Sequence, residues 1–228
     1  MKRGDILFVL LLAAVFTPFI ISQELYHGYH QLNAAHPYIL GFLKFALLAT
    51  MGETLALRIK EGVYNKPGFG ILPRAIVWGF LGMSIVLAFT IFAAGAPLFL
   101  KTFGVENALA SMQGDVSWTR FGAALAISTT MNIFYAPVLM TVHKVTDMHI
   151  ASTGGTVKGL FTRINIVDHL QQLDWKTHWN FILVKTIPLF WIPMQTINFM
   201  LPVEFRVLVA ALLGIALGVI LATATLKK

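Results

Sequence analysis

The sequence predicts an all-α, polytopic transmembrane helix bundle of about six segments, with both termini cytoplasmic. Three observations carry this prediction. Of 228 residues, 57% are hydrophobic and only 12% charged, whereas a soluble domain is roughly a quarter charged. Mean hydropathy is +0.75, and several apolar runs reach the ~20 residues that cross a bilayer core. Third, the lysines and arginines between the runs alternate in density. Lys2, Arg3, Arg58, Lys60, Lys66, Arg74, Lys144, Lys158, Arg163, Lys176, Lys227 and Lys228 fall on one side, against only Lys101, Arg120 and Arg206 on the other. That is the positive-inside pattern. It accounts for the net charge of +7 with no need for a nucleic-acid partner. The chain has no cysteine, which excludes disulfides and thiolate chemistry.

The elements follow in order. Residues 6–21 form the first run, behind Lys2 and Arg3. A signal peptide has a similar start, but no A-x-A-like site follows, so the expectation is a retained helix. Residues 1–35 are therefore an N-terminal membrane helix with an outer loop, and 36–228 are the main bundle. Its runs are 37–57, 74–99, 121–142, 181–200 and 203–226. The connection 143–180 is the long cytoplasmic loop. Within it Val157, Leu160, Phe161, Ile164, Val167 and Leu170 recur at three- and four-residue steps. That spacing predicts an amphipathic helix on the leaflet surface, or packed on the bundle, with Trp175 and Trp179 at headgroup depth.

Polar residues inside the runs are the functional candidates, because each needs a partner or water in hydrocarbon. Trp191, Gln195 and Asn198 share a helical face, and so do Ser128, Asn132 and Tyr135. Both sets read equally as interhelical hydrogen bonding and as the wall of a polar pathway. Pro188 and Pro193 predict kinks, and Pro202 a turn, making these three the hinge candidates. Glu204 and Arg206 are expected at the hydrated outer surface. Lys44 is expected to snorkel outward, and Glu53 to pair with Arg58 or Lys60 near the inner boundary. His27, His30 and His36 share the outer loop with Glu24, but a lone H-x-x-H beside Tyr26, Tyr29 and Tyr38 reads as an interfacial aromatic belt, not a metal site. With no H-E-x-x-H, G-x-S-x-G or P-loop, neither an enzyme, a metal nor another cofactor is expected.

The stretch WIPMQTINFMLPVEFR carries a resemblance. Trp191, Gln195, Asn198, Phe199, Pro202 and Arg206 match, in type and order, the C-terminal signature of the Mpv-seventeen and twenty-two-kilodalton peroxisomal membrane protein family. Gly52 and Glu53 fall where that family's first helix ends in Gly-Asp. The proline at 193 and the shorter Asn198-to-Pro202 spacing depart from the pattern. On these residues, 36–222 resembles a distant bacterial relative. The resemblance implies pore-like, weakly selective passage of solutes and gives functional weight to Glu53, Gln195, Asn198 and Arg206.

The expected function is thus a channel or pore-like facilitator for small polar or anionic solutes in a bacterial inner membrane. The alternative is a membrane scaffold or lipid-interacting protein without transport. Lipids are the expected partners, and homo-oligomerisation is left open.

Overall fold

The structure, a computed structural model, describes residues 3–225. Lys2, Lys227 and Lys228, three of the basic residues assigned to the termini, lie outside that range, as does Leu226. All regular structure among the described residues is helical. In chain order it comprises α1 (Arg3–Ile21), α2 (Gln23–Ala35), α3 (Pro37–Glu61), α4 (Ile71–Lys101), α5 (Ala108–Ser111), α6 (Trp118–Phe134) and α7 (Ala136–Ser152). Then come α8 (Val157–Leu160), α9 (Ile166–Gln172), α10 (Trp175–Thr177), a π-helix (His178–Trp191), α11 (Ile192–Met200) and α12 (Val203–Thr225). Four of these helices are long and apolar enough to cross a membrane, and five spans result if α6 and α7 count as one.

Three expectations are corrected here. The run 121–142 is not one straight helix: α6 and α7 meet at Tyr135 with a 44° bend. Pro137, in the first turn of α7, has no N–H for the carbonyl four residues back and disfavours helical geometry at Ala136. The outer connection before residue 37 is not a loop but α2, started by Ser22, whose Oγ accepts from the Leu25 N–H at 3.3 Å. The stretch 156–173 is not one amphipathic helix but α8 and α9, broken at 161–165.

Around Pro188 the chain widens into the fourteen-residue π-helix, far longer than the usual single π-turn. Its five-residue register places the missing N–H of Pro193 opposite Pro188, and the Ile192 N–H bonds the Ile187 carbonyl. The expected kinks are thus spread over a widened helix.

Close packing of small residues brings the helices together, since apolar burial drives little association in hydrocarbon. At the α3–α4 contact a Cβ on Gly82 would lie 2.6 Å from the Gly41 carbonyl oxygen. At the α3–α12 contact, a Cβ on Gly52 would lie 3.0 Å from Ile215 Cγ1. Phe45, Leu48, Ile85, Phe89, Ile127 and Phe199 fill the common core. The perimeter is apolar: Ile20 is 81% exposed and Phe80 61%. Helix α1 buries none of its residues and is tied on by Asp5, whose carboxylate accepts from Arg58 at 2.8 and 3.1 Å and from the Tyr64 hydroxyl at 3.2 Å.

The basic connections gather on one face. Asp5 meets Arg58, Arg74 meets Asp147, and Gly70 packs so tightly on Gly155 that a Cβ would lie 2.9 Å from its Cα. Because Gly52 and Ile215 are neighbours, α12 runs back toward this same face.

Candidate functional site

Helices α3, α4, α6, α7, α11 and α12 and the end of the π-helix line a partly open cavity of about 230 Å³. Five of the eight polar candidates named from sequence line it: Glu53, Asn132, Tyr135, Trp191 and Gln195. They come from α3, α6, the α6–α7 joint, the π-helix and α11, and the α12 wall is built of small residues, Ala210, Ala211, Gly214 and Gly218. Most of the remaining lining is aliphatic or aromatic, including Phe45, Ile85, Phe89 and Met131. The polar groups therefore stand as points on an apolar wall.

Glu53 anchors the basic-face end. Its Oε2 accepts from Arg74 Nη1 at 2.6 Å, and its Oε1 from Trp78 Nε1 and His143 Nε2, both at 2.8 Å. The same Arg74 nitrogen donates to Asp147 Oδ1 at 2.5 Å, and His143 Nε2 lies 3.6 Å from that oxygen. Arg74 is oriented from behind by its Nε bond to the Phe69 carbonyl, 2.7 Å, and by stacking over the Phe69 ring. This corrects the expected pairing of Glu53 with Arg58 or Lys60: Arg58 serves Asp5. Glu53, His143 and Asp147 hold ligand atoms within 4.8 Å of one another, a spacing that could accept a cation. The guanidinium of Arg74 already occupies both carboxylates in that role.

The middle of the cavity is a hydrogen-bonded seam. Asn132 donates to the Ser128 carbonyl at 2.9 Å, and Ser128, fully buried behind the wall, donates to the Ile192 carbonyl at 2.7 Å. That carbonyl also takes the Thr196 hydroxyl at 2.7 Å, so the junction of the π-helix with α11 is clamped from α6. At the α6–α7 bend the Tyr135 hydroxyl meets Ser84 Oγ of α4 at 2.6 Å. Trp191 Nε1 is buried and has no partner among the described residues, which leaves one hydrogen-bond donor on a cavity-lining residue.

Asn198 and Arg206 do not line the cavity. Asn198 is fully buried, its amide donating to Gln195 Oε1 at 2.8 Å and to the Arg206 carbonyl at 2.9 Å. It thereby orients Gln195 and staples α11 to α12. Arg206, expected in hydrated surroundings, is instead buried. Its Nε caps the Leu201 carbonyl at 3.0 Å and its guanidinium lies over Phe199. Of the hinge candidates, Pro188 sits inside the π-helix, Pro193 in the first turn of α11, and Pro202 is exposed in the link to α12. His27 and His30 pack edge to face among Tyr26, Tyr29 and Phe205.

The sequence reading did not single out Arg74, Trp78 or Asp147, and left His143 on the basic side without a role. A visible signal existed: His143 and Asp147 are four apart, hence neighbours on a helix, but the run was ended at Val142. Comparison of the chain with family models, with characterised proteins and with solved structures returned no match.

Proposed function

We propose that this protein is an integral membrane facilitator with the cavity as its solute chamber and the Glu53–Arg74–His143–Asp147 network as the seal at its cytoplasmic end. The supporting observation is the convergence of Glu53, Asn132, Tyr135, Trp191 and Gln195, from four helices and the α6–α7 joint, on one cavity whose lining residue Trp191 carries an indole N–H unpaired among the described residues. Most of these polar groups are hydrogen-bonded, so the space left between the helices is what favours a chamber over glue alone. In this reading six segments cross the membrane, with the π-helix and α11 together forming the fifth. The basic face is cytoplasmic, and the membrane is a bacterial inner membrane. The resemblance to the peroxisomal membrane protein family agrees with pore-like passage. The apolar walls favour a small solute with a nonpolar body and a polar or anionic head.

The test fills the chamber without disturbing its walls. Gly214 lines the cavity, and a Cβ there meets nothing within 4 Å. Gly214→Leu should fold at least as well as wild type, since glycine in a helix costs ~1 kcal/mol, while solute efflux from proteoliposomes falls several-fold. Efflux unchanged by a folded Gly214→Leu sinks the proposal.

A second reading, a lipid-interacting scaffold, has its own observation. On the basic face Phe161, Val167 and Trp175 are 73%, 61% and 45% exposed, a set of apolar side chains suited to leaflet insertion. A protein silent in the efflux assay but retaining lipid contact at these residues favours it.

A further inference from the structure

On the opposite face from the ionic network, Lys44 of α3 is only 8% exposed. Its ammonium is capped by α2, donating to Asn33 Oδ1 at 2.5 Å and lying 5.0 Å from the centre of the Tyr29 ring. No carboxylate pairs with it among the described residues, and Glu24, the only acid on α2, is exposed. An ammonium has three donors, and one side-chain acceptor and one ring face leave it under-satisfied. A buried charge without a counter-charge is costly and marks a functional position in a membrane segment.

Tyr29 and its neighbour His30 on α2 carry two more polar atoms. The Tyr29 hydroxyl and His30 Nε2 are both buried and without partners among the described residues, and the two rings pack edge to face at 5.6 Å. Phe19, Tyr26 and Phe205 close around them. A buried cation of α3 and two polar atoms of α2 unpaired among the described residues, one of them a hydroxyl, thus lie where α2 covers α3, with aromatic rings packed around them.

We propose that Lys44, Tyr29 and His30 form an oxyanion site on the outer face that takes a phosphate group. The ammonium supplies the counter-charge, while the tyrosine O–H and the imidazole N–H donate to its oxygens. The phosphate arrives either free or as the headgroup of an anionic lipid of the outer leaflet. The site stands whether or not the cavity conducts, because none of its three residues lines the cavity.

The test is the thermal unfolding midpoint of the full chain in neutral detergent, with two probes. One is inorganic phosphate against chloride at equal ionic strength, and the other is phosphatidylglycerol added to the micelles. A ligand that binds only the folded form raises the midpoint with concentration. The expected result is a saturable rise in wild type, with half-saturation about tenfold weaker or worse in Lys44→Met and retained in Lys44→Arg. Tyr29→Phe, which keeps the ring, should weaken it about threefold and serves if Lys44→Met does not fold. A rise with phosphate assigns the site to a free anion, and a rise with phosphatidylglycerol alone assigns it to a lipid headgroup. No rise with either probe overturns the site, as do variants at Lys44 and Tyr29 that respond like wild type.

Discussion

Replacing Arg74 by glutamine should cost about 3 kcal/mol of stability, the lower end of what breaking a buried ion pair costs. The lower end applies because the side chains of Arg74, Glu53 and Asp147 keep 11%, 17% and 18% exposure, enough for water to reach the network. The cost divides unequally. Glu53 retains donors from Trp78 and His143, both at 2.8 Å. Asp147 keeps only His143, at 3.6 Å, and becomes the uncompensated charge. The lost Arg74 bond to the Phe69 carbonyl accounts for about 1 kcal/mol and leaves about 2 kcal/mol to the stranded aspartate. Asp147→Asn added to Arg74→Gln should therefore restore about 2 kcal/mol. Equilibrium unfolding in mixed micelles, followed by helical circular dichroism, measures both variants and the single Asp147→Asn that completes the cycle. A loss under about 1 kcal/mol for Arg74→Gln, or no recovery in the double variant, refutes the account of the network.

Asn198→Leu should lose about 3 kcal/mol, since it removes two amide bonds from a fully buried residue and strands Gln195 and the Arg206 carbonyl; stability unchanged in the same unfolding assay contradicts the stapling role. Ser128→Ala should cost only about 1 kcal/mol, because Thr196 continues to satisfy the Ile192 carbonyl; a loss as large as that of Asn198→Leu would show that the clamp is the serine. The absence of cysteine permits topology mapping with single introduced thiols. Gln113→Cys should react with an impermeant maleimide added to intact cells, whereas Lys158→Cys should react only after lysis. The reverse pattern inverts the proposed orientation.

Composition and periodicity were enough to recognise an all-helical chain with several long apolar helices, because those signals are local. They failed where one residue changes helix geometry or where partners are distant in sequence. Pro137 was passed over in the sequence reading, because a run of uniform hydropathy hides a 44° bend. Glu53 stood out as an acid in an apolar run, but the partners proposed for it were chosen by nearness in sequence. Arg58, five residues on, points about 140° away around an α-helix, which already disfavours the pairing. The real partners come from α4 and α7, 21, 25 and 90 residues distant, and no periodicity reports such contacts. Lys44 misled for the opposite reason. Snorkelling assumes water at the helix end, and α2, itself read as a loop, covers that end.

The positions of these groups suggest how the proposed seal would open. Glu53, Arg74 and Trp78 belong to α3 and α4, which pack closely at Gly41 and Gly82. His143 and Asp147 belong to α7, beyond the break at Tyr135. The network therefore ties α3 and α4 to the segment beyond the α6–α7 bend, and displacing α7 would separate the Asp147 carboxylate from Arg74 without disturbing the α3–α4 contact. The bond between Tyr135 and Ser84 holds the pivot itself against α4. Tyr135→Phe frees that pivot and leaves every ionic contact in place. In the proteoliposome assay it should raise efflux several-fold at nearly unchanged stability. If efflux stays at the wild-type level in a folded Tyr135→Phe protein, the bend is fixed architecture and α7 is not the moving part.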